Sequence, residues 1–188
     1  MKFIKFIIIA VTLLCVTSCA QTGPLSPTDY TQLLTNIKDF FTTSLFLLGS
    51  NCSNFQIGQA IARLYYGHYH IARLIYNNKN KVDIDNHTRA WDAMQVRIQT
   101  YGKELKTFRI KYDYSPQNFS NSEIEQDLQF IKDNRSEFDY MITELKSTIV
   151  SFNNDPNFLN NANKEIQNIE NEYNSIIAKI GKINSKRP

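Results

Sequence analysis

The sequence lacks the short motifs by which many enzyme classes are recognised. It contains no glycine-rich phosphate loop, no H-E-x-x-H, no C-x-x-C-H and no G-x-S-x-G. These motifs hold a phosphate, a zinc ion, a haem or a nucleophilic serine, so none of those chemistries is indicated. We therefore expect a protein that is not an enzyme and that carries no cofactor or metal ion.

The chain also lacks an excess of charge of one sign. It has 21 Lys and Arg residues against 18 Asp and Glu residues, which gives a net charge of +3. Removing residues 1–18 takes away two lysines and no acid, so the net charge of the remainder is +1. A nearly neutral chain does not offer the broad basic surface that nucleic acids attract, and we expect no nucleic-acid partner.

Strand signals are missing as well, since neither alternating apolar runs nor Asn-Gly turns occur. From Ser26 onward the apolar residues recur at spacings of three and four, as on one face of a helix. Ser26 before Pro27 and Asp29 is a typical helix start, and Ser120 with Glu123 forms a capping-box pattern. The predicted helices cover about residues 27–48, 55–76, 91–112, 121–152 and 156–183.

Three successive helices keep a seven-residue apolar repeat over about four heptads, which favours nearly parallel packing. A helix of about 30 residues is roughly 45 Å long. The sequence therefore predicts an all-α fold, an elongated up-and-down helical bundle of about five helices in residues 28–188. Arg135 occupies one apolar position of the fourth helix. In one interpretation its aliphatic chain packs against the neighbouring helices while its guanidinium reaches a carboxylate. In the other it fixes the register of the bundle or takes part in a self-association contact.

The first residues have the layout of a secretion signal. Lys2 and Lys5 precede a nearly apolar run, residues 6–16, that is too short to span a bilayer as a helix. The run ends in the tetrapeptide Val-Thr-Ser-Cys at residues 16–19, which has the form of a lipobox. In these residues the chain resembles bacterial lipoproteins.

That resemblance implies cleavage after residue 18 and lipidation of Cys19, with palmitate and diacylglycerol as the lipids. Residues 1–18 are then a signal peptide, and residues 19–27 are the lipidated cysteine and a short tether. Ala20 follows the cysteine where an aspartate would retain the protein at the inner membrane, so the expected location is the outer membrane of the cell envelope. Cys15 leaves with the signal, so Cys52 has no partner for an intramolecular disulfide.

The only chemically unusual stretch is the tyrosine- and histidine-rich segment within the second predicted helix. We take its side chains, together with the single tryptophan, as the candidate partner-binding residues. They are Tyr65, Tyr66, Tyr69, His70 and Trp91. Tyrosine, tryptophan and histidine are common in interface cores, although the same residues also suit the core of a bundle.

The histidines do not form a metal-site pattern. His68 and His70 lie about 200° apart around a helix, so a regular helix cannot direct both at one ion. A hairpin that turns near residues 80–81 would place His70 beside Trp91 and His68 beside Ala93. The same hairpin would leave His87 beside Leu74, several turns away. A metal or haem site is therefore not predicted.

The functional expectation is a lipid-anchored interaction module that binds a protein partner in an envelope or secretion assembly, or at a host surface. A protective lipoprotein of the immunity or exclusion kind would have the same sequence features. A small-molecule or haem carrier is the third hypothesis. The expected partners are the membrane, through the lipid, and a protein, with self-association as a further option.

Overall fold

The computed structural model describes residues 23–49, 52–114 and 119–184. Within them the chain forms six α-helices and one 3-10 helix, with no strand, so the predicted all-α class is confirmed and the packing is compatible with a helical bundle. The helices are α1 (Pro27–Leu47), α2 (Asn54–Asn80), the 3-10 helix Arg89–Ala93, α3 (Val96–Tyr114), α4 (Asn121–Asp133), α5 (Arg135–Phe152) and α6 (Pro156–Asn184). No helix in these ranges is both long and apolar enough to cross a membrane. The predicted signal, the lipobox and Cys19 lie outside the described residues.

Two of the helix starts follow the capping patterns found in the sequence. At α1 the Ser26 hydroxyl accepts a hydrogen bond from the Asp29 backbone N–H at 3.1 Å, and the Asp29 carboxylate accepts one from the Ser26 N–H at 3.3 Å. Ser120 and Glu123 form the same reciprocal pair at α4. Each pair satisfies backbone donors that a helix leaves unpaired at its first turn.

Helix α2 is the centre of the bundle and contacts α1, α3, α4, α5 and the 3-10 helix. It runs antiparallel to α1, because Asn78 near its end donates to the Tyr30 hydroxyl near the start of α1 at 3.1 Å. It also runs antiparallel to α3, where Tyr112 near the end lies against Gly58 near the start of α2. Helix α6 packs on α1, α4 and α5 and closes the core.

An aromatic cluster fills the middle of this core. Phe138 stacks on Tyr173 with ring centroids 3.7 Å apart, and the Phe41 ring meets both of them edge-on. Phe41 also lies so close to Gly67 of α2 that an added Cβ would stand 2.7 Å from its ring. The absence of a side chain at Gly67 therefore sets how closely α1 approaches α2.

The fourth predicted helix, residues 121–152, is two helices that meet at Asn134. The Asn134 amide donates to the carbonyl of Phe130 at 2.8 Å, and its backbone has ψ 25°, which ends α4. Asparagine competes for helical backbone groups in this way. The break turns Arg135 out of the seam. Its side chain is exposed, donates to the Asn174 amide oxygen at 2.8 Å and lies 3.7 Å from the Asp139 carboxylate.

The predicted hairpin register between the second and third helices is wrong. Helix α2 ends at Asn80, and the capping residue Lys81 has a left-handed backbone with φ 57°. Residues 82–95 then form a loop and a 3-10 helix before α3 begins at Val96. The continuous helix expected from Trp91 therefore starts later, and the register shifts. His68 meets Tyr101 of α3 rather than Ala93, and His70 stacks on Phe40 of α1 rather than on Trp91.

The end of the predicted tether is part of the packed domain. Leu25 is buried in the core, and the Gly23 carbonyl accepts a hydrogen bond from the Asp83 backbone N–H at 2.9 Å. Residues 23–27 are thus held beside the loop that follows α2. The chain enters the bundle at the end that holds the last turn of α2 and the first turn of α1. The C-terminal turns of α1 and α3 lie at the opposite end.

Candidate functional site

Between Ile57 and Asn78, helix α2 is buried except for one narrow row of partly exposed residues. We call the first five residues of this row the α2 stripe: Gln59, Arg63, Tyr66, His70 and Arg73. Tyr76 continues the row toward the end of the helix. The residues of the stripe recur at spacings of three and four, so they lie in one row about 21 Å long. One edge of the row is bordered by α1 and the other by α3 and the loop 82–88.

Tyr66 is the centre of the stripe. Its ring stacks on Phe40 of α1 with centroids 5.4 Å apart, and the guanidinium groups of Arg63 and Arg109 each lie 5.3 Å from its centroid. Arg109 also donates to the Tyr66 hydroxyl at 2.7 Å. Asp113 pairs with both arginines at 3.1 Å, so its one carboxylate offsets part of the two positive charges around the ring. The partly exposed ring is held by contacts from three helices.

His70 continues the row on the other side of Phe40, with ring centroids 5.5 Å apart. Its Nδ1 is buried and has no hydrogen-bond partner among the described residues. Burial, and then the nearby positive charge of Arg73, lower the pKa of His70 to about 4. The ring is therefore neutral at pH 7 and acts as a flat, largely apolar surface next to Phe40.

The loop 82–88 covers the tyrosines beneath the stripe. His87 stacks on Tyr69 with centroids 3.9 Å apart, and its Nδ1 is hydrogen-bonded to the buried Tyr65 hydroxyl at 2.7 Å. Burial, and then the charge of Arg109, lower the pKa of His87. Burial raises the pKa of Tyr65 and of Tyr69, so both keep their protons at pH 7. Tyr65 and Tyr69 are thus neutral, buried side chains that pack beneath the α2 stripe.

An ion pair fixes the same loop to α2. Arg73 donates to the two carboxylate oxygens of Asp83 at 2.7 and 2.5 Å, and the Asp83 side chain is only 1% exposed. The pairing uses both carboxylate oxygens, the geometry that arginine favours. Because the Asp83 N–H also binds the Gly23 carbonyl, this residue joins the N-terminal segment, the loop and α2.

His68 belongs to the core and not to the stripe. Its Nδ1 donates to the Leu64 carbonyl at 2.7 Å, which leaves Nε2 to accept from the Tyr101 hydroxyl at 3.1 Å. Burial lowers the pKa of His68 to about 4. In the part of the chain that the structure describes, no three His, Cys, Asp or Glu side chains are grouped to hold a metal ion.

The structure separates the five candidate residues into three places. Tyr66 and His70 lie on the stripe, and Tyr65 and Tyr69 are buried beneath it. Trp91 lies in the 3-10 helix, with its indole ring against Gly102 of α3. Sequence reasoning missed the residues that surround Tyr66, which are Phe40, Arg63, Arg109 and Asp113. The sequence did contain a signal for Arg63, because polar residues recur at intervals of three and four residues along an otherwise apolar helix.

Comparison with known proteins gives no relative: no family model, no curated protein and no solved structure matches this chain. Fold alone does not imply function, and an all-α bundle hosts many activities. The functional argument therefore depends on the chemistry of the α2 stripe and on the N-terminal residues.

Proposed function

We propose that this chain is a lipid-anchored protein of the cell envelope that acts as a protein-interaction module, and that it binds its partner on the α2 stripe. The observation that supports this most is the arrangement around Tyr66. A partly exposed aromatic ring lies between two arginines and a phenylalanine, and all of them are fixed by hydrogen bonds, ion pairs or stacking. Tyrosine and arginine are the residues that most often dominate binding energy at protein interfaces.

Rigidity of the stripe supports the same proposal. Both Arg63 and Arg109 are paired with Asp113, and Arg73 is paired with Asp83. Side chains already held in place lose little conformational entropy when a partner binds, so more of the contact energy appears as affinity. Three arginines and two aspartates leave a net charge of only +1, which favours a protein partner of mixed polarity over a strongly charged polymer.

The position of the stripe suits a protein held at a membrane through residue 19. The chain enters the bundle beside Asp83, and Tyr66 lies 14 residues before the end of α2 at Asn80, which is about 21 Å along the helix. A lipid on Cys19 would keep the stripe within a few tens of Å of the bilayer. A partner in the same membrane, or docked on it, could reach that surface.

Site-specific photocrosslinking in the native envelope tests the proposal. A photoreactive amino acid replaces Thr43, an exposed α1 residue beside Arg63, and the matched control replaces Thr143, an exposed α5 residue. We expect a discrete crosslinked partner from position 43 and none from position 143. Adding Tyr66→Ala should reduce that crosslink by about tenfold or more, because truncation of a central aromatic typically costs about 2 kcal/mol.

The matched substitution for Tyr66 is Tyr140→Ala, since Tyr140 is also partly exposed and lies under an arginine, Arg97. This control should leave the crosslink from position 43 unchanged. Equal crosslinking from positions 43 and 143, or an undiminished yield with Tyr66→Ala, would show that the stripe is not the docking surface.

A further inference from the structure

A cavity of about 360 Å³ lies between the 3-10 helix and the first turns of α3, next to the stripe but distinct from it. Its lining comes from two chain segments. From the first come His87, Thr88, Trp91 and Asp92; from α3 come Gln99, Gly102, Lys103 and Lys106. At roughly 30 Å³ per water molecule, the volume corresponds to about 12 waters, the lower end of the range for small-ligand sites.

Trp91 gives this lining an apolar wall. The side chain is only 5% exposed, and its indole Nε1–H is buried, with almost no accessible surface and no acceptor among the described residues. A ligand in the cavity therefore meets the indole ring rather than its N–H.

The charges around the cavity favour an anion. Lys103 and Lys106 both line it, and neither forms an ion pair with a carboxylate of the described residues; Lys106 donates to the Thr88 hydroxyl at 3.3 Å. Asp92 is the one acidic residue of the lining. Two cations against one carboxylate leave a net charge of +1, which a monoanion would neutralise.

The apolar part of the lining is rigid. The Trp91 indole lies directly on Gly102, where an added Cβ would stand 2.5 Å from the ring. On the other side, His87 is held by its stack on Tyr69. A site with fixed walls and a few convergent polar groups is the usual form of a small-molecule pocket.

We propose that this cavity binds a small organic monocarboxylate with an apolar group, about the size of an aromatic acid. The apolar group lies against the Trp91 indole and Gly102. The carboxylate is placed between Lys103 and Lys106. This activity is independent of the protein docking proposed for the α2 stripe.

The single tryptophan allows a direct test on the purified full chain. The ¹⁵N-labelled indole N–H gives one resonance, which is followed while phenylacetate is added. The neutral probe phenylacetamide has nearly the same shape and no charge, and inorganic phosphate has charge and no apolar group. We expect a saturable change in the position of this resonance with phenylacetate only, and this binding should weaken as salt is added.

Two single substitutions, Lys103→Gln and Lys106→Gln, should each weaken phenylacetate binding by about fivefold or more, while Lys164→Gln on the exposed face of α6 should not. All three change a solvent-accessible lysine, so loss of folding does not confound the comparison. Absence of saturable binding, equal binding of phenylacetamide or of phosphate, or equal weakening by Lys164→Gln would each overturn the proposal.

Discussion

His68 and Tyr101 are joined by a hydrogen bond of 3.1 Å in the centre of the bundle, where His68 has no exposed surface. The imidazole donates from Nδ1 to the Leu64 carbonyl and accepts at Nε2 from the tyrosine. This arrangement satisfies the neutral ring completely. Protonation of Nε2 would deprive the Tyr101 hydroxyl of its acceptor and would place a positive charge in an aromatic core.

Acid should therefore destabilise the protein through His68. Its pKa is lowered by burial to about 4 in the folded state, whereas an unfolded histidine has a pKa of about 6.5. Stability is complete above about pH 6.5 and falls as the pH drops toward 4, because only the unfolded state then binds the proton. Near pH 5 the loss from this residue is about 2 kcal/mol.

Urea unfolding near neutral pH and near pH 5 measures this loss, and His68→Gln removes the titrating group. We expect the difference in unfolding free energy between the two pH values to shrink by about 2 kcal/mol in the variant. His70, whose pKa is also lowered to about 4, contributes in the same direction and remains in both proteins. An unchanged pH dependence in His68→Gln would contradict the assigned role.

The Arg73–Asp83 pair gives a second prediction. Removing the arginine leaves a carboxylate that is only 1% exposed without its partner, so Arg73→Met should cost about 3–5 kcal/mol of unfolding free energy. The double variant Arg73→Met with Asp83→Leu removes both charges and should be more stable than the single variant. As a control, Arg135→Met breaks an exposed pair and should cost less than about 1 kcal/mol. A negligible effect of Arg73→Met by urea unfolding would show that the pair does not hold the loop.

Two helical glycines should respond to alanine with opposite sign. At Gly67 a Cβ would stand 2.7 Å from the Phe41 ring, whereas at Gly181 a Cβ would meet no packed neighbour within 4 Å. Gly67→Ala should therefore destabilise by about 1–3 kcal/mol, as overpacking does. Gly181→Ala should stabilise by up to about 1 kcal/mol, because alanine is the better helix former. Thermal unfolding followed by circular dichroism compares them; two changes of the same sign would contradict the packing of α1 on α2.

The apolar seam of α3 supplies a fourth prediction. Leu105 has no exposed surface, so Leu105→Ala should cost about 2–5 kcal/mol. Val96 in the same helix is 77% exposed, and Val96→Ala should change stability by less than about 0.5 kcal/mol. A loss of under half a kcal/mol for Leu105→Ala in urea unfolding would mean that this seam does not form the core.

Helix existence could be predicted from the sequence because it depends on local patterns. The spacing of the apolar residues predicted which face of each helix is buried. Ser26 and Ser120 predicted two helix starts that the structure confirms. The break at Asn134 was missed, since the apolar pattern continues across it and an asparagine ends a helix only in some contexts. A similar capping box at Ser53 and Gln56 was present in the sequence and was overlooked.

The candidate site was less predictable, because its residues come from several helices. Tyr66 and His70 were found from composition alone. Their neighbours Phe40 and Arg109 depend on the helix register, and the assumed hairpin put Trp91 beside His70 instead. The register failed at Lys81, where a lysine adopts the left-handed backbone usual for glycine, and at the 3-10 helix that delays α3.

The remaining prediction concerns the proposed anchor at Cys19. A lipobox cysteine is the residue that receives the diacylglyceryl thioether, so Cys19→Ser should abolish incorporation of labelled palmitate in cells. Because several acyl chains are needed for stable attachment, the variant should also leave the membrane fraction. Cys52→Ser is the matched control: this thiol is partly buried at the start of α2, and its loss should change neither labelling nor fractionation. Equal palmitate labelling of wild type and Cys19→Ser would refute lipidation at this position.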